Sequence, residues 1–329
     1  MNILVTGGAG YIGSHTVRAL LSSRRFTPVV FDNLSTGHAE SVPEGTVLVK
    51  GDIHDIDFVA DTLKKYDIQG VIHFAAYSLV GESMVDPAKY YTNNVEGTLH
   101  LLLGMKKAGV DKIVFSSTAA VYGEPEKTPI EEDFPHNPTN GYGRTKLVIE
   151  NMMRDFTNAY GLHYVALRYF NAAGAALDGS IGEDHNPESH LIPLILKTAQ
   201  GVRDHIAIYG TDYPTPDGTC IRDYIHVLDL ADAHVLAMKY LAEGGNSTYF
   251  NLGSEKGFSV REIIETAKKV TGIDFKVTEE ARRSGDPAIL IASSKKCRET
   301  LGWHPTHSTT EEIIASAWKW HKEHPYGYK

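Results

Sequence analysis

Thr6-Gly7-Gly8-Ala9-Gly10-Tyr11-Ile12-Gly13, directly after the apolar run Ile3-Leu4-Val5, is the stretch whose reading decides the fold. A short strand feeding a glycine-rich turn and then a helix gathers backbone N–H groups and the positive end of a helix dipole at one point, where a pyrophosphate fits. Glycines at 7, 10 and 13 permit a tight turn, a close approach of backbone to phosphate, and close packing of helix on strand. Asp32 closes the next apolar run, Pro28-Val29-Val30-Phe31, about twenty positions after the last glycine, where a carboxylate accepts hydrogen bonds from ribose hydroxyls. The acid repels a 2′-phosphate and so selects NAD over NADP. Asp32-Asn33 also suits a plain turn; the preceding glycines favour the ribose role.

Working outward, strand and helix alternate. Helical spacing carries Val17, Leu20 and Leu21 between Ile12 and Ser23, and a second helical segment spans Phe58 to Tyr66. Val47-Leu48-Val49 leads to Gly51-Asp52; Val71-Ile72-His73-Phe74-Ala75-Ala76 and Ile113-Val114-Phe115, ending in Ser116-Ser117-Thr118, are further strands. Continuous apolar strands rather than alternating ones imply a sheet covered on both faces, hence an α/β, doubly wound parallel sheet of Rossmann type. One long helix is expected from Pro87, suited to a first turn, to Ala108, with Gly109 as its C-terminal cap. The segment 124–138 reads as a surface loop, followed by a helix from Tyr142 and the strand Val165 to Arg168.

From Asn171 the composition shifts and the elements shorten, which marks a second, smaller α/β domain for substrate. The expected division is 1–170 for the NAD-binding domain, with a return segment at about 226–253 through a helix Asp229 to Tyr240 and a strand Tyr249 to Leu252. Residues 171–225 and 254–329 form the substrate domain, with helices Val260 to Thr271 and Glu311 to Lys322 and a strand Phe275 to Val277. The carboxyl ends of the strands line the ligand crevice of such a sheet, so Asp52, Ala75, Ala76, Ser117 and Thr118 converge.

The chain has 329 residues and a formal charge of −9, which argues against a nucleic-acid or anionic-membrane partner. Two cysteines, Cys220 and Cys297, show no metal or disulfide spacing, and the cytoplasm is the expected compartment. No basic leader precedes the short apolar run at Met1 to Val5, and no stretch approaches a membrane span. Sixteen histidines raise the question of a metal, but neither a His-Glu-x-x-His arrangement nor a His/Cys cluster is evident, so none is expected.

Tyr142 and Lys146 stand on one face of one helix. A phenol ionises at about pH 10, and a nearby ammonium favours its phenolate, making a proton shuttle. Gly7-x-x-Gly10-x-x-Gly13 with Tyr142-x-x-x-Lys146 resembles the extended short-chain dehydrogenase/reductase family. The resemblance narrows, over essentially the whole chain, to the UDP-glucose 4-epimerases. It is carried by Gly51-Asp52-Ile53, His73-Phe74-Ala75-Ala76, Val80-Gly81-Glu82-Ser83, Asn93-Asn94-Val95, Val121-Tyr122-Gly123, Arg168-Tyr169-Phe170-Asn171 and Arg222-Asp223-Tyr224-Ile225-His226-Val227.

The resemblance implies transient oxidation at C4 of a UDP-hexose by bound NAD, interconverting UDP-galactose and UDP-glucose, with Tyr142, Lys146 and Thr118 as the catalytic set. It implies cofactor contacts from Gly7, Gly10, Tyr11, Ile12, Gly13, Asp32, Asn33, Asp52 and Ile53. Phe74, Ala75, Ala76, Asn93, Ser116 and Tyr169 join them, with Tyr142 and Lys146. On the substrate side Thr118 and Tyr142 meet the sugar. Arg222 and Arg283 face the diphosphate, Tyr209 the uracil, Asp286 a ribose hydroxyl and Asn171 the diphosphate or sugar. His190 and Leu191 stand nearby, and Leu290 gates the C2 substituent. A homodimer through 87–108 and 142–160 is also implied.

Three departures stand out: Thr118 where many relatives carry serine, Ser78 where some carry a lysine, and His190 where an asparagine is frequent. Leucine at 290 leaves the choice between plain and N-acetylated hexoses open. A UDP-N-acetylglucosamine or UDP-uronate 4-epimerase therefore remains an alternative. A 4,6-dehydratase would carry Asp-Glu after Thr118, where this chain has Ala119-Ala120, and a non-catalytic NAD-binding protein has no need of the Tyr142–Lys146 pair.

Overall fold

The apolar runs become strands with two buried faces. The computed structural model describes residues 1–283 and 286–328. Its first half alternates β1 (Asn2–Thr6), α1 (Tyr11–Ser22), β2 (Thr27–Asp32), β3 (Val47–Lys50), α2 (Ile56–Lys65), β4 (Ile68–His73), the short helices α3 (Val80–Val85) and α4 (Pro87–Tyr90), α5 (Gly97–Ala108), β5 (Lys112–Ser116), α6 (Gly141–Tyr160) and β6 (His163–Arg168). Next come β7 (Asn171–Ala173), α7 (Leu191–Ala199), β8 (Ile206–Tyr209), β9 (Ile221–Arg222), β10 (Tyr224–His226), α8 (Val227–Ala242) and β11 (Thr248–Asn251). The chain closes with β12 (Phe258–Ser259), α9 (Val260–Thr271), β13 (Val277–Glu280), β14 (Ile289–Leu290), α10 (Lys295–Leu301) and α11 (Thr310–Glu323).

Seven strands form one parallel sheet in the order β11-β6-β5-β4-β1-β2-β3. The order reverses at β1, which opens a crevice at the carboxyl ends of β1 and β4. Successive side chains point to opposite faces: Ile3, Val5, Val30, Ile72, Val114 and Val165 enter a core with α1 and α8. Leu4, Val29, Phe31, Val71, Ile113 and Phe115 enter another with α2, α5 and α6. Each fully buried aliphatic side chain contributes about 1.5–3 kcal/mol relative to exposure. The return strand expected near Tyr249 is β11, paired with β6.

A separate core joins α7, α9 and α11 through Ile192, Ile195, Leu196, Ile263, Ile264, Ile313 and Ile314. Around it lie the parallel pairs β7–β10 and β8–β13 and the three-stranded β12-β9-β14. Ser259 and Glu262 form a reciprocal capping box at the start of α9, and Gly272 ends it at φ 70°.

Two elements differ from expectation. The helix expected over 87–108 is continuous but carries a π-helical stretch at Tyr91–Glu96 between α4 and α5. Buried Asn94 accounts for the wider turn: its Oδ1 accepts the Tyr77 N–H at 2.9 Å and its Nδ2 donates to the Tyr77 carbonyl at 3.0 Å, fastening the segment after β4. Such π segments favour functional sites. The strand expected at 275–277 begins at Val277 instead. Phe275 is drawn into the small core, while the polar run Thr278-Glu279-Glu280 pairs with β8.

At the end of β6, Arg168 is fully buried and grips Glu150 of α6 with two hydrogen bonds, Nε to Oε1 at 2.9 Å and Nη2 to Oε2 at 2.5 Å. Its Nη1 donates to the Tyr122 hydroxyl at 2.7 Å, which donates to Asn251 of β11 at 2.7 Å. Glu150 also accepts the Ser117 hydroxyl at 2.6 Å.

Five buried histidines bear on the pH response. Burial is the largest cause lowering His73 and His226 to about 3, and His15, His234 and His321 to about 4. The unfolded chain binds protons at these sites near pH 6.5 while the folded one does not, so their contribution is present above pH 6.5 and lost as pH falls. Each such group costs about 1.4 kcal/mol per pH unit in that window. Thermal or urea unfolding at pH 7.5 and pH 5 should show a loss of at least about 2 kcal/mol. Equal stability at both values would show that these imidazoles do not stay neutral.

Candidate active site

The glycine turn has the geometry of a ligand cradle. Gly7 adopts φ 71°, and a Cβ there would lie 2.6 Å from the Ala75 nitrogen. A Cβ on Gly13 would collide with the Gly7 carbonyl oxygen. Gly10 is different. Its backbone is extended (φ −83°, ψ 176°), and an added Cβ would meet only the Gly7 oxygen, at 3.3 Å. An alanine at 10 would need the turn to give by only a few tenths of an ångström, far less than at 7 or 13. Its N-cap position carries no side-chain cap on α1, so no capping side chain competes for the first-turn N–H groups, the donors a phosphate takes at a helix start.

The remaining cofactor candidates surround this turn. Asp32 sits buried beside it, Oδ2 accepting the Ala9 N–H at 3.0 Å and Oδ1 the Leu34 N–H at 2.8 Å. A carboxylate has about four acceptor sites, so capacity for ribose hydroxyls remains. Phe74 and Ala75 both donate to the Thr6 carbonyl, at 2.9 and 3.2 Å, which draws them, with Ala76 next in the chain, against Gly7. Asn33 donates to Asp52 at 3.2 Å, and His54 bonds Asp52 at 2.6 Å. Burial raises the Asp52 carboxyl, but the His54 hydrogen bonds outweigh it and hold it below its ordinary range. Ile53 is buried near Gly97, and Asn93 donates to Asn94 at 2.9 Å. Tyr11, the first residue of α1, donates to the Gly174 carbonyl at 2.6 Å, and Ile12 follows it.

At the end of β5 lies the reactive group. Lys146 is buried, with its Nζ donating to the Ser116 carbonyl at 2.9 Å and lying 5.7 Å from the centre of the Tyr142 ring. Ser116 shares a 2.5 Å hydrogen bond with the Tyr169 hydroxyl. Asn140 caps α6 by accepting the Gly143 N–H at 2.8 Å, and Ser83 accepts the Tyr142 N–H at 2.9 Å, fixing the register of the helix that carries both residues. Thr118 Oγ1 accepts the Ala120 N–H at 3.1 Å, which leaves its hydroxyl proton to donate elsewhere.

The electrostatics correct one expectation. Burial pushes the Tyr142 phenol up to about 12, opposed by the Thr118 hydroxyl, while burial lowers Lys146 to about 7, opposed by Glu150. The ammonium was expected to lower the phenol. In the protein alone desolvation dominates, and it weakens the charge of the lysine as well.

The candidates for the nucleotide end gather around Cys220, which senses the charges of Arg222, Asp286 and Arg283. Arg222 pairs with Asp286 and donates to the Ile221 carbonyl, and the Arg283 guanidinium lies 3.9 Å over the Tyr209 ring. Asn171 donates to the Asp223 carbonyl at 2.9 Å. Leu290 packs against Ala119, Val121 and Tyr122, just beyond Thr118, and pairs in register with Arg222. Leu191 starts α7 against the small core.

His190 turns its ring toward a loop cluster of acids. Its Nδ1 turns to Glu183 at 2.8 Å and Glu188 at 3.1 Å, in a cluster with His185. Glu183-x-His185-x-x-Glu188-x-His190 has neither of the spacings sought in the sequence, and the fold brings its four side chains together. Also missed was Glu150; its place four residues after Lys146 was the available signal.

Three comparisons bear on identity. The NAD dependent epimerase/dehydratase family model matches residues 3–253. A UDP-glucose 4-epimerase of Halalkalibacterium halodurans is 56% identical over 328 residues, covering 100% of this chain and 98% of the relative. A UDP-glucose 4-epimerase of Lacticaseibacillus casei is 54% identical over 328 residues, covering 100% and 99%. The crystal structure of UDP-glucose 4-epimerase from Brucella ovis in complex with NAD is 51% identical, with TM-score 0.94, covering 96% of this chain and 97% of that one. Together with the cradle and the Tyr142–Lys146 helix, these likenesses show that the chain belongs to the NAD dependent epimerase/dehydratase family, among its UDP-glucose 4-epimerases.

Proposed function

We propose that the protein interconverts UDP-galactose and UDP-glucose as an NAD-dependent 4-epimerase. The observation that carries this reading is the meeting of Thr118, Tyr142 and Lys146 at the carboxyl end of β5, beside the Gly7–Gly13 cradle. NAD, when bound, supplies the hydride acceptor that makes C4 oxidation reversible within one site.

Gly7, Gly10, Tyr11, Ile12 and Gly13 would hold the pyrophosphate, and Asp32 with Asn33 the adenosine ribose. Asp52 and Ile53 flank the adenine side, while Phe74, Ala75, Ala76, Asn93, Ser116 and Tyr169 line the path toward the reactive end. Thr118 donates its hydroxyl proton to the sugar oxygen at C4 and aligns it on Tyr142. Tyr142 takes the C4 hydroxyl proton and returns it after the sugar has turned, so one residue serves both faces. Lys146 supplies positive charge to the phenolate and reaches the nicotinamide ribose.

Arg222 and Arg283 form charge-assisted hydrogen bonds to the diphosphate. Engaging it requires Arg222 to share or exchange Asp286, which is then released for the uridine ribose. Asn171, His190, Leu191, Tyr209 and Leu290 complete the substrate surface, with Tyr209 against the uracil. We also assign 1–170 and the return segment 226–253 to NAD binding and the remaining 171–225 and 254–329 to substrate. The active species is a homodimer through 87–108 and 142–160, acting in the cytoplasm; among the described residues no helix is long and apolar enough to cross a membrane.

Incubation with UDP-galactose should yield UDP-glucose, and the reverse, without accumulation of NADH. No conversion, or a 4-keto-6-deoxy product, would sink the assignment. Tyr142→Phe should lower kcat by at least about 100-fold while bound NAD is retained; near-normal turnover would remove the phenol from the proton path. Gly10→Ala should leave the circular dichroism spectrum intact and reduce NAD content at least about tenfold, whereas Gly13→Ala should lower the unfolding midpoint itself. Full NAD retention by Gly10→Ala would place the pyrophosphate away from this turn.

A further inference from the structure

The loop between β7 and α7 holds a cluster of which the epimerase reading uses only His190. Glu183, His185, Glu188 and His190 each offer one ligand atom, and the four atoms lie within 4.8 Å of one another. The measured pairs are His190 Nδ1 to Glu183 Oε1 at 2.8 Å and to Glu188 Oε1 at 3.1 Å, and His185 Nδ1 to Glu183 Oε1 at 3.1 Å and to Glu188 Oε2 at 3.7 Å. A tetrahedral ion about 2.1 Å from nitrogen and oxygen donors sets its ligands about 3.4 Å apart. The distances from each histidine nitrogen to the two carboxylates, 2.8–3.7 Å, lie around that edge, and all four donors lie within 4.8 Å of one another, so the donors draw together on binding.

Two further observations point to a ligand. The Glu183 and Glu188 side chains are only 5% and 3% exposed. Among the described residues, Glu188 Oε2 is buried without a hydrogen-bond partner, with His185 Nδ1 3.7 Å away, and His185 Nδ1 meets Glu183 Oε1 at 3.1 Å without hydrogen-bond alignment. A knot of ion pairs alone leaves the Glu188 Oε2 oxygen without a hydrogen bond and sets two imidazolium rings 5.3 Å apart. A divalent ion satisfies all four donors, neutralises both carboxylates and leaves the imidazoles in their neutral, ligating form. The backbone supports the arrangement: Glu188 Oε1 accepts the N–H groups of Ser189 and His190, both at 2.8 Å, which aims the carboxylate.

We propose that Glu183, His185, Glu188 and His190 form a closed four-ligand site for a divalent transition metal, zinc by its mixed imidazole and carboxylate set. With every position taken by protein the ion is structural. The His185 ring lies edge-on to Tyr11, centroids 6.2 Å apart, so the ion fastens the loop against the first turn of α1. His190, as the last ligand, is also the N-cap residue of α7; the same ion therefore fixes where that helix starts.

The NAD-loaded protein, stripped with a chelator and desalted, is titrated with zinc chloride by calorimetry and, separately, with cobalt(II) by visible absorption. The expected result is one zinc per chain, an intense four-coordinate cobalt spectrum, and a thermal midpoint raised by several degrees on adding zinc. Glu188→Gln and His185→Gln should each weaken zinc binding at least about tenfold and abolish the thermal shift. Absence of stoichiometric zinc binding by the unaltered protein, a pale six-coordinate cobalt spectrum, or affinity unchanged in both variants would overturn the proposal. Should either variant fail to fold, the cobalt spectrum of the unaltered protein still decides. Epimerase activity is not the readout, so failure here leaves the proposed reaction standing.

Discussion

The Arg168–Glu150 pair is the constraint on which the reactive end of the molecule depends. Two charges removed from water are costly, and their attraction repays the cost only with good geometry and every donor satisfied. Here the guanidinium meets the carboxylate through two bonds and gives a third to Tyr122. The pair joins the end of β6 to the middle of α6, and Ser117 ties the same carboxylate to the end of β5. Sliding α6 by one residue would break all of these at once. The pair thereby sets the axial position of Tyr142 and Lys146 against Ser116 and Thr118, although neither charge touches the crevice.

The Lys146 ammonium lies one helical turn before Glu150 and receives only long-range support from it; its direct partner is a carbonyl oxygen. That explains why burial lowers its pKa so far. The phenol nearby is raised by the same desolvation. In the protein alone neither charged form has a direct counterion, so the phenol holds its proton while the lysine gives its own up readily.

Much of this was legible in the sequence because it rests on short-range patterns. Apolar runs at Ile3–Val5, Val29–Phe31 and Ile113–Phe115 became strands, and the glycines, Asp32 and the Tyr142–Lys146 spacing fell where such patterns require. What was not legible depends on the fold. The π-helical turn arises from Asn94 bonding a residue of another segment. β13 consists of polar residues whose strand character comes only from pairing with β8. The direction of the Tyr142 shift needed the depth of burial, and the Glu183–His190 cluster needed the loop to close. Glu150 and Arg168 lie eighteen positions apart, with nothing local to connect them.

The register between β9 and β14 sets Leu290 beside Arg222, which in turn holds Asp286. One end of this ladder faces the apolar cluster beyond Thr118 and the other faces the charged group around Cys220. Under the proposed roles of Leu290 and Arg222, selectivity for the sugar and grip on the nucleotide share one strand pair. A side chain at 290 that strains β14 would be felt by β9, which presents the Arg222 guanidinium, so under those roles a change in what the pocket admits is coupled to how it holds its handle. Evolution of a new specificity on this scaffold would have to adjust both together.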